Sequence, residues 1–110
     1  MTGSPYTRRL FGATLPAAPT WQDIWEAPDD GSTFILRDVR LGNRATVDGE
    51  ALLDILAEAG TVQLIIAGGL LLGSGTLGGE LRQELRPGDV VRVYSPVVGV
   101  TVVGTGYVLK

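Results

Sequence analysis

The sequence predicts an all-β chain: a single antiparallel β-sandwich, jelly-roll-like, of about seven or eight strands. Three observations lead there. The stretch from Leu81 to Lys110 alternates apolar and polar residues with period two, broken by Pro87-Gly88-Asp89. Turn-forming clusters such as Pro28-Asp29-Asp30-Gly31 and Gly42-Asn43-Arg44 divide the rest into short segments. Sixteen glycines and six prolines in 110 residues suit a chain that reverses often.

Residues 1–19 carry Pro5, Pro16 and Pro19 and no clean period, yet hold Tyr6, Leu10, Phe11 and Leu15 among arginines. They read as an N-terminal arm, either a loose tail or an extended segment docking on a neighbouring subunit. Residues 20–110 read as the sandwich domain. Thr20 to Glu26 alternates, with Trp21, Asp23 and Trp25 on one side and Gln22, Ile24 and Glu26 on the other. Thr33 to Leu41 is the next strand, its Ile35, Val39 and Leu41 face interrupted by Arg37.

Thr46 to Ala59 is ambiguous. Leu52, Leu53, Ile55 and Leu56 have helical spacing, and Glu50, Asp54 and Glu58 recur every fourth residue. Its strand-like neighbours favour a strand with a helical turn inserted. Val62 to Ala67 is a buried strand, Gly68-Gly69 a turn or bulge, Leu70 to Leu72 a short strand and Ser74 to Gly79 a flexible loop. Leu81, Gln83 and Leu85 then share a face. Pro87-Gly88-Asp89 reverses the chain because proline fixes φ and glycine tolerates φ > 0. Two alternating strands finish the fold.

Composition narrows function. The length suits one domain with a core of its own. A net charge of −3 argues against nucleic acid and anionic membranes as partners. With no cysteine, disulfides and thiolate metal sites are excluded, and with no histidine the commonest general base and zinc ligand are missing. Arginine outnumbers lysine eight to one, a trace of coding bias. The longest apolar run, Leu64 to Leu72, is too short to span a bilayer as a helix. Thr7-Arg8-Arg9-Leu10-Phe11 superficially matches a twin-arginine export signal, but Gly12, Pro16 and Pro19 break the apolar stretch behind it, so export is not expected.

Four patterns could carry chemistry. Gly73-Ser74-Gly75-Thr76-Leu77-Gly78 fits G-x-G-x-x-G, but that motif needs a helix after it and an acid about twenty residues on, and neither follows. Asp29-Asp30 and Asp48-Gly49-Glu50 offer carboxylates without calcium-loop spacing, and turn chemistry accounts for both. Arg37, Asp38 and Arg40 read as a charge pair at a sheet edge or as an inter-subunit ion pair. Trp21, Trp25, Tyr94 and Tyr107 could form a sugar platform, though aromatics in a small sandwich more often serve core or interface.

The order of its short motifs resembles that of small virion proteins of tailed bacteriophages. These are Ala27-Pro28-Asp29-Asp30-Gly31 followed by Ile35-Leu36-Arg37-Asp38-Val39-Arg40-Leu41, then Leu85-Arg86-Pro87-Gly88-Asp89-Val90-Val91-Arg92, and a closing Gly106-Tyr107-Val108-Leu109. The resemblance implies a structural particle protein, tail-associated or decorating the capsid, found in the virion, binding other virion proteins and copies of itself, and having no catalytic residue or cofactor. Arg8, Arg9, Phe11, Trp21, Trp25, Arg37 and Asp38 are the expected partner contacts. The alternative function is a carbohydrate- or receptor-binding module of a host-attachment apparatus, which requires Trp21 and Trp25 exposed and coplanar.

Overall fold

The computed structural model describes residues 8–15, 20–43, 46, 48–57, 60–95 and 98–109, apart from the side chains of 66 and 67. Eight strands run in chain order: β1 Arg8–Thr14, β2 Thr20–Glu26, β3 Thr33–Asn43, β4 Gly49–Ala57, β5 Val62–Leu71, β6 Thr76–Leu85, β7 Val90–Ser95 and β8 Val100–Leu109. They form two four-stranded sheets, β1-β8-β3-β6 (sheet A) and β2-β7-β4-β5 (sheet B). Every pairing is antiparallel. The first strand pairs with the last, the second with the seventh, the third with the sixth and the fourth with the fifth. This is the nested connectivity of a jelly roll, which alternates strands between two sheets. The all-β sandwich expected from alternation is therefore observed.

The core lies between the sheets. Sheet A contributes Phe11, Phe34, Leu36, Val39, Leu41, Leu85, Val100 and Val102, and sheet B contributes Ala51, Leu53, Ile55, Leu71, Val91 and Val93. β7 shows why sequence and structure agree there: Val91, Val93 and Ser95 are buried while Val90, Arg92 and Tyr94 point outward.

Several expectations need correction. Within the stretch read as an N-terminal arm, Arg8–Thr14 forms β1 and pairs with β8 in sheet A, while the boundary at 19/20 lies beside residues outside those described. The expected helical turn within 46–59 is replaced by the regular strand β4. Leu53 and Ile55 face the core, while Leu52, Asp54 and Leu56 face out, so helical spacing on paper is two half-buried faces in space. Gly68-Gly69 is no turn: both pair within the β4–β5 ladder, opposite Leu52 and Ala51. The expected loop from Ser74 is shorter than read, because Thr76–Gly79 pairs with β3.

Bulges explain the other departures. In β3 the pairing with β8 slips between Leu36 and Asp38, and Arg37 is the extra residue; against β6 the same step sets Arg37 opposite two residues, Leu81 and Arg82. A bulge resets the two-residue alternation, so Leu36 and Val39, three apart, both face the core. In β2 the slip falls between Asp23 and Trp25, with Ile24 extra. In β1 it falls between Arg9 and Phe11, with Leu10 extra.

Candidate interaction surface

The seven expected contact residues scatter. Phe11 is not a partner contact: it is 5% exposed and sits in the core. Its ring stacks on Trp25 with centroids 5.7 Å apart, and it covers the inner surface of β8 where Gly104 leaves room. Trp25, half-buried, meets Phe34 edge-on at 5.1 Å and so caps the core. The bulge at Ile24 has turned it inward, away from Trp21, which pairs across β7 with the outward Tyr94. The exposed, coplanar tryptophan pair required by the sugar-binding alternative is not formed.

Arg37 and Asp38 are not at an edge, because β3 lies between β8 and β6. Asp38 pairs with Arg40, Nε to Oδ1 at 3.1 Å, and hydrogen bonding to Asp38 holds the exposed Arg40 guanidinium above its ordinary pKa. Arg37 stands exposed on its bulge and makes no ion pair among the described residues. Arg8 and Arg9 on β1 are likewise exposed.

The turn acids serve the backbone. Asp30 Oδ1 accepts the Ser32 N–H at 2.9 Å, Asp48 Oδ1 accepts the Gly73 N–H at 2.8 Å, and Asp89 Oδ2 accepts the Arg86 N–H at 2.9 Å. The G-x-G-x-x-G segment is a tight turn, with the Gly75 N–H bonded to the Leu72 carbonyl at 2.8 Å, running into β6. Among the described residues no three acids converge as metal ligands would. Where the sheets part, between β5 and β6, a cleft of about 510 Å³ is lined by Val62, Leu64, Glu84, Arg86 and Asp89. Its charges are already engaged, Arg86 with Glu84 at 2.6 Å and Asp89 with the turn backbone.

The outer face of sheet B carries the feature that sequence reasoning missed. Asp54 is fully buried although it points away from the core. Arg92 donates to it twice, Nε to Oδ1 at 3.0 Å and Nη2 to Oδ2 at 2.7 Å, and Gln63 Nε2 donates at 2.6 Å. The Arg92 guanidinium also lies 4.6 Å from the Trp21 ring centre. One polar chain therefore runs Trp21–Arg92–Asp54–Gln63 across all four strands, β2, β7, β4 and β5. Hydrogen bonding to Asp54 raises the Arg92 pKa, with burial opposing. Around this chain the face is apolar: Leu52 and Leu56 are half-buried, and Ile65 and Leu70 are 59% and 60% exposed. A cue lay in Asp54 and Arg92 each interrupting an apolar strand, but only the β4–β7 register puts them opposite each other.

No family model matches the chain, and no curated protein matches it. Solved structures do. The core of Drosophila NLP, described with respect to pentamer formation and histone binding, superposes with a TM-score of 0.60 at 18% identity, covering 94% of this chain and 100% of that one. A protein of Bacillus endospore appendages, which form a family of disulfide-linked pili, superposes at 0.52 with 12% identity, covering 100% of this chain and 95% of that one. At such identities the likeness is one of fold.

Proposed function

We propose that this chain is a structural subunit that works by assembling with copies of itself into a larger particle, and that the particle is a tailed bacteriophage. The observation that carries the assembly reading is the outer face of sheet B, where Ile65 and Leu70 stand exposed beside Leu52, Leu56 and Tyr94 around a finished ion pair. An apolar face of that kind on a chain this small marks a surface to be covered. The Drosophila NLP core, of the same fold, is described as forming a pentamer, which supports closed self-association. The disulfide linkage of the Bacillus pili has no counterpart, since this chain has no cysteine. The phage assignment rests on the order of the A-P-D-D-G, R-D, P-G-D and G-Y-x-L motifs.

Two measurements test the two levels. Light scattering on the purified chain at micromolar concentration is expected to give a mass several times 11.6 kDa. A monomer at all concentrations sinks the assembly reading. Quantitative mass spectrometry of density-purified phage particles is expected to find the chain at fixed stoichiometry, near the shell protein for a decoration and far below it for a tail component. Its absence removes the virion reading and leaves self-assembly standing.

A further inference from the structure

The two sheets carry opposite charge. The outer face of sheet A bears four arginines (Arg9, Arg37, Arg40, Arg82) against three carboxylates (Asp38, Glu80, Glu84), and Glu84 is taken up by Arg86 beyond the strand. The strands of sheet B bear four carboxylates (Asp23, Glu26, Glu50, Asp54) against one arginine, Arg92, which Asp54 already holds. A protein of net charge −3 thus presents one basic face and one acidic face, on opposite sides of the sandwich. The excess is available. Arg9 and Arg37 are exposed without an ion pair among the described residues, and so are Glu26 and Glu50. Asp23 lies near Arg92, but that guanidinium is committed to Asp54.

The apolar residues that need covering sit on the acidic face. An isologous pairing of two sheet B faces would set Asp23, Glu26 and Glu50 against the same residues of a second copy, which like-charge repulsion opposes. The basic face offers a complementary surface with apolar groups of its own, the outward Val103 and Tyr107 beside Leu109, which is 42% exposed. The molecule measures 48 × 30 × 19 Å. Its broad faces exceed the roughly 800 Å² per partner that a stable interface needs.

We infer that the acidic, apolar outer face of sheet B docks on the basic outer face of sheet A of a second copy of this chain, head to tail. This rests on the assembly reading above and names its interface. Because the two surfaces differ, each added copy leaves a free face of either kind, and growth ends only when the chain of copies closes into a ring.

The experiment uses the full chain and reads native mass. Arg9→Glu with Arg37→Glu makes both faces acidic, and Asp23→Arg with Glu50→Arg makes both basic. Circular dichroism checks that each is folded, since all four residues are exposed. Each double variant is expected to be monomeric. An equimolar mixture is expected to reassemble into complexes alternating the two chains, of even copy number. The quadruple variant, with both faces reversed, is expected to reassemble alone. If both double variants keep the wild-type mass, the interface lies elsewhere and this inference fails while the assembly reading survives. If the double variants are monomeric but neither the mixture nor the quadruple variant reassembles, facing charges do not pair and the head-to-tail contact is overturned. If the wild-type chain is itself monomeric, both fail.

Discussion

Asp54 is the residue whose environment departs furthest from its type. A carboxylate with no exposed surface is tolerated because three hydrogen bonds from Arg92 and Gln63 replace the water it loses. The pair adds little net stability over an apolar pair of the same shape, but breaking it leaves a charge stranded. Asp54→Ala is therefore expected to lower unfolding free energy by about 2–4 kcal/mol in urea titrations, Arg92 keeping some access to water. Asp54→Leu combined with Arg92→Met is expected to recover most of that loss. Gly104 and Gly106 are governed by space instead. A Cβ on Gly104 would fall 2.2 Å from the Phe11 ring, and one on Gly106 would fall 1.9 Å from the Ile35 carbonyl oxygen. The glycines of the closing strand are thus the seats for β1 and β3.

At the scale of elements, β1 shows what an irregular sequence can hide. Pairing with β8 brings Phe11 over Gly104 and against Trp25, and Leu15 closes the end with backbone hydrogen bonds to Val100 and Gly99. Phe11→Ala is expected to cost about 3–5 kcal/mol, read from a shifted urea midpoint with unchanged slope, and to shift Trp25 emission to the red. A residue held out for a partner would leave both unchanged. The motifs behind the phage resemblance meet as elements too. Ala27 exchanges backbone hydrogen bonds with Gly88 and Asp89, so the A-P-D-D-G and P-G-D turns brace each other, and Ile35 pairs with Tyr107 of the closing G-Y-x-L. Their residues maintain the sandwich, which is why they speak for fold more directly than for role.

For the whole molecule, nested pairing makes nearly every sheet contact non-local. β8 cannot seat β1 until almost the entire chain has been made and brought back on itself. Loop closure must precede its reward, so refolding from urea is expected in the millisecond-to-second range rather than microseconds, as stopped-flow fluorescence would show. The same architecture puts two broad, oppositely charged faces outward. It ties up the cleft charges in turn and strand-end contacts, leaving the faces as the surfaces with uncommitted groups.

The all-β class, the bounds of β2, the Pro28–Gly31 and Pro87–Asp89 turns and the alternation of β7 and β8 are legible in order along the chain, whereas Val62 to Ala67, read as a buried strand, leaves Leu64 and Ile65 exposed. Period two and turn chemistry are local, and local rules hold wherever a strand is regular. They failed at Leu10, Ile24 and Arg37, because a bulge inserts one residue that no propensity announces and thereby exchanges the faces beyond it. That is why Trp21 and Trp25, alternating partners on paper, point to opposite sides. They failed also at β1 and β4, where the strand is defined by its neighbour's hydrogen bonds rather than by its own pattern. Sequence by itself determined what kind of chain this is, an acidic, histidine- and cysteine-free sandwich of short strands. The tertiary structure decided where its charges and apolar groups meet, since register across strands distant in sequence joins Asp54 to Arg92, and the division into two sheets leaves an excess of arginines on one and of acids on the other.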